Sequence, residues 1–221
     1  MVFFSLSGYL IIGLLYQEKR TRGAISIKDF YVRRALRLYP VYYFVLFFGL
    51  FFYHYLLPVL GQPFEVDYSI MEGIAWNVGF LPNVFNTLYK PGAILTVLWS
   101  IGIEEQFYLF IAPLLSYLSI NRYFKYLLIL TISYFIIFSI GVFPVLRKFD
   151  FLYFFMSGAG IIAVLEKSGF KLHFKHFALR CSVYLLFFVY FTTDLLRFDE
   201  RILTNIFELV LFNMLIINIS N

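Results

Sequence analysis

TVLWSIGIEEQFYLFIAPLLSYL, residues Thr96 to Leu118, is an almost unbroken apolar run interrupted in its first half by Glu104 and Glu105. A bilayer core of ~30 Å needs about 20 such residues in a helix. The run is long enough to cross a membrane, and it is not alone. Six further apolar stretches read as spans: Val2–Tyr16, Leu38–Leu57, Tyr123–Phe143, Phe151–Leu165, Leu179–Thr193 and Ile202–Ile219. Lipid leaves no backbone group unpaired, and the alternation of a barrel strand is absent, so helices are expected. The expected fold is an all-α polytopic transmembrane helix bundle with about seven spans.

Composition supports this. The 221 residues are 62% hydrophobic, 23% aromatic and only 14% charged, with a mean hydropathy of +0.82. Soluble domains are about 45–50% apolar and about 25% charged. A water-soluble globule, a disordered chain and a coiled coil are therefore excluded. The single cysteine, Cys181, excludes a disulfide scaffold; it reads as an ordinary buried thiol. The formal charge is +5, but the charges sit between apolar runs, which points to membrane loops rather than to nucleic acid.

The linkers Gln17–Arg37, Ile120–Lys125 and Glu166–Arg180 hold thirteen of the eighteen Lys and Arg residues. They fall on one face if every segment spans, and the positive-inside rule makes that face cytoplasmic. The stretch Pro58–Ile94 is then an outer loop, and so long a connection is more often functional than idle. Charges follow the first span instead of preceding it, and both ends of the sequence abut apolar runs. The expectation is one partial membrane domain over residues 1–221.

Polar residues in so apolar a chain carry the chemistry. Glu104 lies about eight residues into its span, roughly 12 Å deep at ~1.5 Å per residue. An ionised, unpaired carboxylate there costs several kcal/mol, so it is paired, protonated or beside a wet cavity. The reading for function is a general acid/base; the structural alternative is an ion pair. Glu104 and Glu105 point about 100° apart, and Glu104 is favoured as the central one. Arg33, Arg34 and Arg37 crowd the mouth of the second span. A guanidinium fork suits phosphate or carboxylate, with contact to anionic headgroups as the alternative. Ser5, Ser7 and Gly8 allow close helix packing or a hydroxyl contact. His173 and His176, without a nearby acid or thiol, make a poor metal site, so no metal is expected. His54 reads as interfacial, Glu208, Asn213 and Asn218 as cavity-facing or interhelical, and Ser157 to Gly160 as small-residue packing.

Three of these segments, in order, resemble the acyltransferase 3 family of integral membrane acyltransferases. The first is Phe3 to Ile11, similar to a Phe-Phe-x-Leu-Ser-Gly stretch and including Ser7. The second is Phe30 to Pro40, with the family's Arg-Arg-x-x-Arg at Arg33, Arg34 and Arg37. The third is Trp99-Ser100-Ile101-Gly102-Ile103-Glu104-Glu105-Gln106-Phe107-Tyr108. The resemblance implies transfer of an acyl group, usually acetyl, from acyl-CoA as co-substrate to a hydroxyl of an envelope or secreted polysaccharide. It implies no bound cofactor, a bacterial inner (plasma) membrane and about ten spans, so that this sequence would be truncated at both ends. Placed in that chemistry, Glu104 is the expected catalytic residue, and Arg33, Arg34, Arg37, Ser7, Trp99, Ser100 and Glu105 are the expected donor- or substrate-binding residues. The family's catalytic histidine lies before the Phe-Phe-x-Leu-Ser-Gly stretch, and none of His54, His173 or His176 matches it; the chain alone is expected to be inactive. The competing readings are a transporter or flippase of small solutes or glycolipids, since intramembrane acids also couple proton movement, and a degenerate fragment. No inverted repeat favours a transporter.

Overall fold

The computed structural model describes residues 1–62, 64–170, 176–193, 196 and 198–220. His173, one of the two weak metal candidates, lies outside them. Among the described residues every regular element is helical. Four helices are long and apolar enough to cross a membrane: Ile27–Val59, Ala93–Tyr117, Ile120–Ile140 and Arg201–Ile219. The protein is an all-α membrane helix bundle. The other three expected spans are helices too, but their apolar stretches are shorter or end in charge.

The chain forms two compact units. Unit 1 contains α1 (Val2–Arg22), α7 (Tyr123–Ile140), α9 (Tyr153–Lys167), α10 (Phe177–Thr192) and α11 (Arg201–Ile219). Its central element is α9. Ten of its fifteen residues are buried, the pattern of a helix surrounded by others. Small residues make this possible. A Cβ on Gly8 would lie 2.1 Å from the Met156 carbonyl oxygen, and one on Gly160 would meet Ile12 at 2.1 Å. The small-residue packing expected at Ser7–Gly8 and at Ser157–Gly160 is what brings α1 against α9. On its other sides α9 sets Phe154 against Phe135 and Phe138 of α7, at 5.2 and 5.4 Å. Phe155 lies 6.1 Å from Phe212 of α11. Ser157 and Thr131 share a hydrogen bond of 2.9 Å between hydroxyls.

Two polar residues of the last helix, Glu208 and Asn218, are interhelical. Tyr190 of α10 donates to Glu208 at 2.6 Å, and Arg180 donates to Asn218 at 3.1 Å. Cys181 is exposed on α10, which corrects its reading as a buried thiol. It occupies the outward side of an apolar helix of 16 residues, where sequence alone does not separate inward from outward positions.

Unit 2 contains α2 (Ile27–Phe51), α3 (Ile70–Val78), α4 (Pro82–Tyr89), α5 (Ala93–Thr96), α6 (Leu98–Tyr117) and α8 (Pro144–Lys148). Here α2 begins eleven residues before the expected Leu38. Ser26 caps it by accepting from the Asp29 amide at 3.4 Å, an N-cap with an acid in the first turn. Arg33, Arg34 and Arg37 therefore ride on a helix and not in a linker. The helix passes through Pro40, widens at Phe52–Leu56 and ends at Val59. Its 33 residues extend about 50 Å, more than the hydrocarbon core requires, so both ends reach beyond it.

The expected outer loop is folded. Residues between Pro58 and Ile94 build α3 and α4 and pack into one core with α2 and α6, centred on Tyr42, Leu46, Leu50, Tyr53, Tyr68, Phe85, Leu95 and Leu98. Ser69 and Glu72 form a reciprocal capping box at the start of α3. The Ser69 amide and hydroxyl donate to Glu72 at 2.7 and 2.9 Å. These bonds hold the Glu72 carboxyl below its ordinary value. A depressed carboxyl contributes stability that is complete above its unfolded value and lost as pH falls through the folded one. Amide hydrogen exchange across α3 should therefore accelerate on acidification below the usual carboxylate range. Ser69→Ala should mimic this at neutral pH, at about 1 kcal/mol. Exchange in α3 that ignores both changes would refute the cap's role.

Candidate functional site

The candidate site lies within unit 2, where the first turns of α2 face the first half of α6. Glu104 and Glu105 are only 5% and 6% exposed. Burial of two adjacent carboxyls is costly. At the centre of a span one acid costs about 3 kcal/mol, and local partners must offset it.

Glu104 has its partner on the same helix. Tyr108, one turn on, donates its hydroxyl to Oε2 at 2.8 Å. The Tyr108 ring is also the floor for Arg34, whose Cζ lies 5.8 Å from its centroid and 5.9 Å from that of Phe30. Phe30 and Tyr108 meet edge to face at 6.3 Å. The i, i+4 spacing of Phe30 and Arg34, and of Glu104 and Tyr108, puts each pair on one helix face. Aromatic faces desolvate the guanidinium and attract it. Arg34 is within electrostatic reach of both Glu105 and Glu104.

Glu105 has tyrosines of α2 in its vicinity, although the Tyr42 hydroxyl itself donates to the Asn77 carbonyl at 2.9 Å. Tyr31, Tyr39 and Tyr42 all lie within its electrostatic reach. Its buried Oε1 has no hydrogen-bond partner among the described residues. Such an atom in a native fold calls for an explanation, such as a ligand or a proton. Tyr31 also pins α2 to α6 by donating to the Leu109 carbonyl at 3.1 Å.

The folded segment closes against the same turn of α6. Gly102 touches Pro82 so closely that a Cβ would lie 2.2 Å from the proline ring. Gln106, next to Glu105, donates to the Phe80 carbonyl and, at 2.9 Å, to Asn83 Oδ1. Asn83 is fully buried and donates to the Phe149 carbonyl at 2.9 Å. Phe80 stands at φ 56°, a left-handed conformation rare for a bulky residue. Its ring lies 5.5 Å from Tyr39 and 6.3 Å from Tyr42.

The structure thus brings together Arg34, Glu104 and Glu105. Arg33 and Arg37 are exposed on α2. Trp99 and Ser100 are half-buried in the first turn of α6, and Ser100 donates to the Val97 carbonyl at 3.4 Å. Ser7 is buried on α1 in unit 1. His54 packs against Tyr68 with centroids 5.2 Å apart, and His176 occupies the N-cap position of α10 without a side-chain capping bond. Sequence reasoning left out Tyr31, Tyr39, Tyr42, Phe80 and Asn83, and gave no role to Phe30, Gln106 and Tyr108. The available signal was the i, i+4 pairing of an aromatic with two of the charged residues, Phe30 with Arg34 and Tyr108 with Glu104. Nothing local marked the three phenols.

The arrangement can hold an anionic group on Arg34 and move a proton at the two carboxyls. Two carboxyls beside one cation in a low-dielectric site are a pattern suited to taking up and returning a proton.

Comparison with known proteins gives a consistent direction. The chain is 32% identical over 112 residues to a Listeria monocytogenes protein named peptidoglycan O-acetyltransferase, covering 49% of this chain and 18% of that protein. It is 33% identical over 128 residues to a Staphylococcus aureus protein provisionally named an O-acetyltransferase, covering 51% and 19%. A Haemophilus influenzae protein without an assigned function is 29% identical over 143 residues, covering 62% of this chain and 56% of its own length. The match spans less than a fifth of the length of the first two relatives. No protein-family profile matches the chain, and no solved structure does. By sequence, the chain is related to proteins that bear the name O-acetyltransferase.

Proposed function

We propose that the protein is an integral membrane O-acyltransferase of the acyltransferase 3 type. It moves an acyl group, acetyl by its likeness to the named relatives, from acyl-CoA to a hydroxyl of an envelope or secreted polysaccharide. A bacterial inner membrane is the proposed setting. The observation that carries this reading is Arg34 seated over Tyr108 while the Tyr108 hydroxyl holds Glu104, with Glu105 alongside.

The chemistry needs three things. The acceptor oxygen must attack the thioester carbonyl, forming a C–O bond as the C–S bond breaks. The hydroxyl proton must leave and end on the coenzyme A sulfur. Negative charge on the carbonyl oxygen must be offset while it develops. Glu104, oriented by Tyr108, takes up or steers the proton. Arg34, with Arg37 on the same stretch of α2, receives the phosphates of the donor. Glu105, among three phenols, completes the polar floor that receives the acceptor hydroxyl.

Replacing Arg34 or Arg37 tests the donor role. Arg34→Ala should raise the KM for acyl-CoA by about tenfold or more, because a charge-assisted contact is worth ~1.5–3 kcal/mol. Arg37→Ala, at an exposed site, should have a smaller effect. Unchanged use of limiting donor by both variants would remove the arginines from donor binding.

A further inference from the structure

One end of unit 1 gathers cations from four helices. Lys19 of α1 donates to the Leu118 carbonyl, and Arg20 donates to the Lys167 carbonyl at the end of α9. Ser220, after α11, donates to Glu166 of α9 at 2.6 Å, and Tyr9 of α1 donates to the same carboxylate at 2.6 Å. Arg180 of α10 is bonded to Asn218 of α11 through Nε at 3.1 Å, and the Asn218 amide returns a bond to the Arg180 carbonyl at 3.0 Å. The C-terminal ends of α1, α9 and α11 therefore meet the N-terminal ends of α7 and α10.

The charges there are unbalanced. Glu18 is matched with Arg22 at 3.7 Å, and Glu166 is engaged by two hydroxyls. Lys19, Arg20 and Arg180 bind carbonyl or amide oxygens. Arg122, Lys125 and Lys167 are exposed and form no ion pair among the described residues. The apolar helices Ile120–Ile140 and Arg201–Ile219 both end at this rim, which sets it where the chain leaves the hydrocarbon. Phe124, Tyr126, Phe170 and Phe177, close in sequence to these cations, are exposed, as aromatic side chains are at a headgroup layer.

We propose that this rim is a binding surface for the headgroups of anionic phospholipid, with Arg122, Lys125 and Lys167 as the phosphate contacts. A soluble phosphate ligand would need charge alone. A lipid needs charge beside an apolar helix wall and aromatic anchors, and all three coincide here. This proposal is independent of the acyl-transfer reading, since none of its residues belongs to the candidate site.

The test uses the full protein in detergent micelles doped with labelled phosphatidylglycerol or phosphatidylcholine at equal mole fraction. Retained lipid is then counted by native mass spectrometry. Phosphatidylglycerol should be retained in preference, and the preference should fall as salt rises. In R122Q/K125Q/K167Q it should fall by about fivefold for each cation removed. These positions are exposed, so helix content and monodispersity serve as checks on folding, and single variants replace the triple if it misfolds. Equal retention of the two lipids, or a preference unchanged in the variants, would overturn the proposal. Displacement of the lipid by millimolar ADP would also overturn it, assigning the surface to a soluble phosphate ligand instead.

Discussion

Glu104→Gln should lower acyl transfer at least a hundredfold while leaving the protein folded, and Glu105→Gln, which touches only acceptor binding, should have a smaller effect. Loss of a positioned proton acceptor removes a factor of ~10²–10⁴. Both side chains are almost fully buried, so the neutral amide removes a charge that the membrane interior disfavours by about 3 kcal/mol. Stability should hold or rise as activity collapses. That opposition separates a chemical role from a structural one. Were the two acids only structural, their neutralisation would lower stability and activity together. Tyr108→Phe supplies the graded control. It removes the 2.8 Å bond to Glu104 but keeps the ring beneath Arg34, so activity should drop about tenfold, in line with ~1.5–3 kcal/mol for a hydrogen bond to a charged group. Activity of Glu104→Gln within a few fold of the parent would take Glu104 out of the mechanism.

Gly8→Ala should be the most damaging methyl in unit 1. The added Cβ would lie 2.1 Å from the Met156 carbonyl oxygen and 2.4 Å from its Cα. Those are backbone atoms in the first turn of α9, so no side chain can rotate away. The helices must separate, at about 3 kcal/mol or more. Gly13 on the same helix is the matched control. A Cβ there meets Ala163 Cβ at 3.5 Å, an ordinary contact, and Ala favours helix over Gly by ~1 kcal/mol. Thermal unfolding in detergent should show Gly8→Ala far below the parent and Gly13→Ala level with it or above. Equal behaviour of the two would contradict the close approach of α1 and α9.

Much of this architecture is legible in the sequence because lipid enforces it. Apolar runs must be helices, and the helices lie close to where the runs do. Boundaries fail where charge and apolarity disagree. The start of α2 was hidden because its first three turns carry Lys28, Arg33, Arg34 and Arg37, and only the Ser26 cap marks it. The folded segment between Pro58 and Ile94 was hidden for another reason. Its helices are short, broken by Gly79 and Pro82, and stable only against α2 and α6. The Ser69-x-x-Glu72 box was the local sign of it.

The candidate site was half legible. Two acids within a span and three arginines at a helix mouth stand out by cost alone. Which arginine turns inward is decided by Phe30 one turn earlier and by Tyr108 on another helix. The first is visible in the sequence; the second is a tertiary contact. The tyrosines around Glu105 come from three turns of α2, in a chain with eighteen tyrosines, and no composition argument selects them. Ser7 is a different case. Placed in the family's chemistry it is an expected binding residue, while its surroundings on α1 show that its segment is made for close packing.

The central claim is that Arg34, Glu104 and Glu105 of unit 2 take part in the proposed acyl transfer to a glycan hydroxyl. Its most direct test is to supply acetyl-labelled acetyl-CoA to membranes containing the protein as the cell makes it, and to follow label into envelope or secreted polysaccharide. The account predicts label released by mild alkali, as an O-ester requires, and its loss in Glu104→Gln. No ester-bound label above membranes lacking the protein, or equal label with Glu104→Gln, would contradict it.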